Sequence, residues 1–150
     1  SMTLAQERRT AAEGEGYRLA ALAQAHVGLG EPEVAITLAR EGIEMGRGSA
    51  AVGNEIFAIL AFAQAGLASQ GGVAHPELAA ELERALELVT RSGMTALEPL
   101  VRMEVAGLAR RRGDEETRER ALREAKRLFE EMGAEARAAE LAGELEPLRS

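Results

Sequence analysis

Residues 22–35 read LAQAHVGLGEPEVA, and a related stretch, FAQAGLASQGGVAHPELA, covers residues 62–79. The two Ala-Gln-Ala segments lie forty positions apart, whereas the two Pro-Glu segments lie forty-four apart. The four extra residues fall in the Gly-rich connection 70–74, where an insertion disturbs packing least. Self-similarity at a fixed period is typical of repeat architectures, so these stretches predict a chain built from units of about forty residues.

Glycine and proline divide each unit into two helices. The stretch 28–30 predicts the end of the first helix, because glycine tolerates the left-handed conformation that closes a helix. Pro32 suits the first turn of the next helix, where its missing N–H costs nothing, and Pro76 gives the same signal in the second unit. A third, weaker copy runs from residue 95 to residue 132, with Gly113 at the matching turn.

Capping residues predict where several helices begin. Thr3 with Gln6, and Thr95 with Glu98, have the spacing of a capping box, and Asp114 is a good N-cap. The first helix is expected to be frayed or kinked, because glycines at 14 and 16 each cost about 1 kcal/mol in a helix interior. The second helices of the units should end at Met45-Gly46, Ser92-Gly93 and Met132-Gly133.

The predicted fold class is all-α. Aromatic residues make up only 3% of the chain, and Ala, Leu, Glu and Arg, all good helix formers, dominate it. A seventh helix over 134–148 carries a single apolar stripe that includes Ala138, Leu141 and Leu145, as a capping helix requires. We therefore expect one domain over residues 1–150, with units at about 3–46, 49–92 and 95–132 and a capping helix at 134–148.

Charge and composition exclude several classes of function. A net charge of −7 repels a phosphate backbone, so no nucleic-acid partner is expected. The weakly charged stretch 56–73 is rich in Ala, Gly, Gln and Ser and lacks basic flanks, which favours a buried helix over a membrane span. No cysteine is present to form a disulfide or a thiolate metal site. A cytoplasmic protein is the default expectation.

No constellation of residues predicts catalysis, a metal or a cofactor. His26 and His75 are the only histidines and do not share the spacing of two ligands on one helix face. The many glutamates are explained by solvated helix faces. The basic cluster that begins at 110–112 is interleaved with acidic residues, which disfavours phosphate binding. We therefore expect no enzyme and no cofactor.

The small and apolar positions of the units resemble the tetratricopeptide repeat. In the first unit the matching residues are Leu19, Leu22, Ala23, His26, Gly30, Ala35, Ala39 and Gly42. The resemblance implies a right-handed α-solenoid of about three antiparallel helix pairs plus the capping helix, with His26 in a slot that the family gives to Tyr. The units are longer than the usual repeat and are similar to the helical repeat regions of large bacterial multidomain regulators. That likeness implies a sensor or scaffold piece of a larger protein.

The register of the family implies a partner-binding surface on the first helices of the units. Its expected contacts are Tyr17, Gln24, Val27, Phe57, Leu60, Gln64, Leu67, Met103, Arg110 and Arg111. An apolar groove with a few polar donors is how a helical array holds a peptide or a partner helix. The same side chains could instead pack against their own neighbours. Self-association as a homodimer, and sensing of a small ligand, are the alternative functions.

Overall fold

The computed structural model describes residues 1–149, and the side chains of residues 1–148. These residues form seven α-helices joined by short connections, without any β-strand, so the predicted all-α class is confirmed. The helices are α1 Leu4–Gly28, α2 Pro32–Arg47, α3 Val52–Ala68, α4 His75–Ser92, α5 Glu98–Arg112, α6 Glu115–Glu131 and α7 Glu135–Leu145. Two 3₁₀ turns, Thr95–Leu97 and Glu146–Arg149, precede α5 and follow α7.

The chain divides into two compact units. The first unit is Ser1–Leu88, which contains α1, α2, α3 and most of α4. The second unit begins at Val89 and contains the last residues of α4 together with α5, α6 and α7. Each unit has its own packing.

Several of the glycines predicted to end helices do so in the left-handed conformation. Gly30 has φ of +77°, and the N–H groups of Gly30 and Glu31 donate to the carbonyls of Val27 and His26 at 3.0 and 2.8 Å. These two bonds satisfy carbonyls that the end of α1 would otherwise leave without partners. The same pair of bonds closes α5 at Gly113 and α6 at Gly133. The expected ends of these helices are confirmed.

Two of the predicted N-caps are present. The Thr3 hydroxyl accepts from the Gln6 N–H at 3.2 Å, and the Gln6 side chain accepts from the Thr3 N–H at 2.7 Å, which completes the capping box of α1. The Asp114 carboxylate accepts from the Thr117 N–H at 3.1 Å and caps α6. This hydrogen bonding lowers the pKa of Asp114 below its usual value.

The predicted capping box at Thr95 and Glu98 is wrong. Residues 95–97 form a 3₁₀ turn, and neither this turn nor α5 has a side-chain cap. Helix α5 begins only at Glu98, where Pro99 occupies the first turn. Proline has the helical φ already set and needs no hydrogen-bond partner there, so it fixes the start of the helix.

One helix end differs from the sequence expectation. Helix α2 continues through Gly46 to Arg47 and is followed by Gly48, so the Met45-Gly46 pair lies inside the helix. Gly46 lies inside α2 at the point where α3 approaches most closely, through the backbone of Glu55. Helix α4 begins at His75, so Pro76 lies in its first turn as expected.

Helix α1 is continuous through Gly14 and Gly16, so the expected kink is absent. Gly16 is buried, and a Cβ atom built on it would lie 3.7 Å from the Asn54 side-chain nitrogen. That nitrogen donates to the carbonyl of Glu13 at 2.8 Å. Tertiary contacts between α1 and α3 near Gly16 therefore offset the low helix propensity of this segment.

Small residues allow the helices of the first unit to approach closely. Ala23, Ala35 and Ala39 are fully buried. A Cβ atom on Gly42 would lie 3.2 Å from the Ala58 Cβ, and one on Gly46 would lie 2.8 Å from the Glu55 Cα. The second distance is shorter than real Cβ contacts allow, so α2 and α3 can be this close only because residue 46 has no side chain.

The second unit has a separate apolar core. It is formed by Ala106, Ala121, Leu122, Ala125, Phe129, Ala138, Leu141 and Leu145. The stripe predicted for the last helix, including Ala138, Leu141 and Leu145, is thus buried against α5 and α6. The Arg137 guanidinium lies 5.7 Å from the centre of the Phe129 ring and covers this core with a cation–π contact.

Replacing Gly46 with alanine should destabilise the first unit. The added methyl group meets Glu55 backbone atoms, which cannot rotate away, so we expect the G46A variant to lose about 1–3 kcal/mol of unfolding free energy. Gly14→Ala is the matched control, since no atom lies within 4 Å of its Cβ position and alanine is the better helix former. Urea denaturation followed by circular dichroism measures both. Equal stability of the two variants would contradict the close packing at Gly46.

Candidate functional site

An aromatic pair lies on the surface of the first unit, where α1 contacts α3. The rings of Tyr17 and Phe57 meet edge to face, with centroids 6.0 Å apart and planes at 88°. Tyr17 is 57% exposed, and Phe57 is half-buried. Edge-to-face pairs are favourable, so each ring holds the other in place while the Tyr17 ring still faces solvent.

Glutamine follows each aromatic residue after seven positions. Gln24 on α1 is exposed, and Gln64 on α3 is half-buried. Neither side-chain amide hydrogen-bonds to another residue of the described chain. A primary amide offers both donors and an acceptor, so these two groups are available to a ligand.

The face that carries these four residues, here called the α1–α3 face, has almost no charge. Between residues 56 and 68, helix α3 has no ionisable side chain. Over residues 17–28 of α1 only Arg18 and His26 can carry a positive charge, and both have partners: the Arg18 guanidinium bonds to Glu15, and His26 Nδ1 lies 3.1 Å from Glu31 Oε1. The Glu15 carboxylate raises the pKa of Arg18. In a chain with 29% charged residues, this neutral surface is distinctive.

The other residues expected on this face contribute less to its surface. Val27 and Leu67 are half-buried, and Leu60 is only 3% exposed, so Leu60 offers almost no surface to a partner. The reason is that α3 is apolar on most of its circumference, and a helix of that kind is buried on most sides. A periodic pattern cannot identify the exposed side of such a helix.

The remaining predicted contacts lie in the second unit. Met103 is half-buried and packs against the core of that unit, which makes it a poor candidate for a docking contact. Arg110 and Arg111 are exposed in the last turn of α5, where a positive charge interacts favourably with the helix dipole. The structure brings together Tyr17 and Phe57 of the predicted set.

A buried carboxylate in the first unit was not identified from the sequence. The Glu55 side chain is 4% exposed and receives the Arg84 guanidinium at 2.9 and 3.4 Å, while Arg47 lies 3.6 Å away. The Glu55 carboxylate raises the pKa of Arg84. Helices α2, α3 and α4 are thus joined through one carboxylate, and its burial depends on residues that are distant in sequence.

A charged groove of about 420 Å³ lies between α2 and α4 of the first unit. Its floor is Phe62, and the Arg40 guanidinium lies 4.9 Å from the centre of that ring. Ion pairs from Arg40 to Glu77 and from Arg47 to Glu81 cross the groove. Four of the charged side chains that line the groove are therefore paired across it, and Glu44 also lines the groove.

Arginines also line a groove of about 550 Å³ between α5 and α6. Arg102 bonds to Glu98 at 3.1 Å, and Arg123 bonds to Glu119 at 2.6 Å. Arg127 pairs with glutamates of its own helix, which raises its pKa above the usual value. On α6 the basic side chains of the cluster are therefore in local pairs with glutamates, whereas the run 110–112 lies in the last turn of α5.

Within residues 1–149 no three side chains of His, Cys, Asp or Glu gather as a set that could hold a metal ion. In the same range no helix has both the length and the apolarity needed to cross a bilayer.

Comparison of the chain with protein-family models, with curated proteins and with solved structures gives no match.

Removing the charge of Glu55 should weaken the first unit. In the Glu55→Gln variant the Arg84 guanidinium loses a charge-assisted partner, so we expect a loss of about 1–3 kcal/mol in the free energy of unfolding. Glu116→Gln is the control, because that side chain is 90% exposed and lies 3.7 Å from Arg120. Its effect should stay below about 0.5 kcal/mol. Equal effects in urea denaturation would show that Glu55 has no special role.

Proposed function

We propose that this chain is a protein-interaction module of the tetratricopeptide type, which binds a partner peptide or domain on the α1–α3 face. The observation that carries the proposal is the repeated pair of an aromatic residue and a free amide. Tyr17 and Gln24 on α1 correspond to Phe57 and Gln64 on α3, at the same offset of forty residues as the repeated sequence. Two neighbouring helices thus present the same chemistry side by side.

Contacts within the first unit support alternating helix directions. The Cβ position of Gly16 lies 4.0 Å from Met45, whereas that of Gly42 lies 3.6 Å from Leu19. Moving forward along α1 therefore means moving backward along α2, which is the order that antiparallel helices give. Helices α2 and α3 follow the same rule, since position 42 meets Ala58 and position 46 meets residue 55.

Two further pairs of successive helices give the same order. Helices α3 and α4 meet where Gly66 approaches Leu78, and again where residue 55 bonds to residue 84. In the second unit, Arg118 of α6 lies 3.9 Å from Glu144 of α7, and residue 137 covers residue 129. Successive antiparallel helices with small residues at the crossings are what a helical solenoid requires, so these contacts favour a repeat fold.

The exposure of Tyr17 supports a docking role for the α1–α3 face. Tyrosine presents a large apolar ring together with a polar hydroxyl, and it is enriched at protein interfaces for that reason. The adjoining Phe57 ring restrains its orientation, which reduces the entropy lost on binding. In this proposal the chain is not an enzyme, and it serves as a regulatory or scaffold element within a cytoplasmic bacterial protein.

Selection from an unbiased peptide library tests this function. Peptides selected on the wild-type protein should bind the Tyr17→Ala and Phe57→Ala variants at least about tenfold more weakly, because truncating a central aromatic contact costs more than 1 kcal/mol. Leu29→Ala is the control, since Leu29 is 71% exposed but lies in the turn after α1. Isothermal titration measures the affinities, and circular dichroism verifies the fold of each variant.

Two outcomes would count against the proposal. Selected peptides that bind Y17A and F57A as tightly as the wild-type protein would place the docking surface elsewhere. A library that yields no binder at all would remove the support for a peptide-binding module.

A further inference from the structure

Helices α1 and α3 lie side by side in a fixed register. Asn54 bonds to the carbonyl of Glu13, and Phe57 contacts Tyr17, so both contacts advance in the same direction along the two helices. The offsets are forty-one and forty residues. Continuing this register places Gln64 beside Gln24, two turns beyond the aromatic pair and about 10 Å further along the helix axes.

The spacing of the two pairs matches an extended chain better than a helical one. A distance of about 10 Å corresponds to three residues of extended peptide, at about 3.3 Å per residue. The main-chain N–H and C=O groups of an extended segment are unpaired, and each can bond to a primary amide. Inside a helical partner these groups bond to one another, so Gln24 and Gln64 would meet free main-chain groups only at the ends of the helix.

The scarcity of charge around Gln24 and Gln64 restricts the partner further. A charged partner residue buried against α3 would lose its hydration without meeting an opposite charge, and this desolvation is costly. An uncharged segment has no charge to desolvate, so this cost does not arise. Its apolar side chain can pack on the exposed edge of Tyr17.

We infer that the α1–α3 face recognises an uncharged, extended peptide segment. One apolar side chain of the segment packs on the Tyr17 and Phe57 rings, and the amides of Gln24 and Gln64 bond to its main chain about three residues away. This inference rests on the proposed function and adds the chemistry of the partner. Peptides that bind should therefore share the apolar residue that packs on the two rings, here called the anchor. They should vary in sequence at the residues whose main chain is bound.

The test uses a neutral peptide selected on the wild-type protein, together with versions methylated at one backbone nitrogen at a time. We expect methylation near the third residue from the anchor to weaken binding about tenfold, because it removes a hydrogen-bond donor. In the Gln24→Ala/Gln64→Ala variant the unmethylated peptide should already bind about tenfold more weakly, and methylation should add little. Such non-additivity identifies a direct interaction.

Gln70→Ala is the matched control, because Gln70 is an exposed glutamine in the connection between α3 and α4. In this variant methylation should retain its full effect. Circular dichroism verifies that the Gln24→Ala/Gln64→Ala variant is folded. A second comparison sets acidic and basic versions of the same peptide against the neutral one, and both should bind more weakly.

The outcomes separate this inference from the proposed function. If Tyr17→Ala abolishes binding but backbone methylation has no effect at any position, a peptide docks on the face without main-chain recognition, and the inference is wrong. Preferred selection of charged or helical peptides would overturn it as well. If no library peptide binds the wild-type protein, the proposed function fails and this inference fails with it.

Discussion

The close approach of helices at alanine and glycine is the constraint on which the first unit depends. Gly46 lies so near the Glu55 backbone that no side chain fits between them, and Ala23 and Ala39 are fully buried. With so few aromatic residues, the core gains its apolar contacts from many small side chains at short range. Separating two helices by even one methyl group would therefore disturb contacts along their whole length.

This packing also determines what the surface presents. Because α1 and α3 are held at a short distance, Tyr17 reaches the Phe57 ring, and the glutamines two turns later are expected to be neighbours. The Asn54 side chain of α3 donates to the α1 backbone at Glu13 and holds the two helices in the same register.

The charged side chains of the first unit lie mainly away from the α1–α3 face. Ion pairs join α2, α3 and α4 through Glu55 and cross the neighbouring groove through Arg40 and Glu77. Exposed pairs of this kind contribute little to stability, whereas a buried carboxylate without its partner is costly. The paired charges therefore join elements of the first unit, and the α1–α3 face with its free amides is the surface that we propose for a partner.

The sequence by itself determined the helical class and most helix ends, because these depend on residues within one turn of each other. Gly30 and Asp114 act on the nearest backbone groups, so their roles could be predicted. The capping box predicted at Thr95 was wrong because Pro99 fixes the start of α5 instead. The burial of Leu60 and Glu55 was decided only by the tertiary structure. Burial depends on which distant helices pack on a residue, and neither periodicity nor capping signals carry that information.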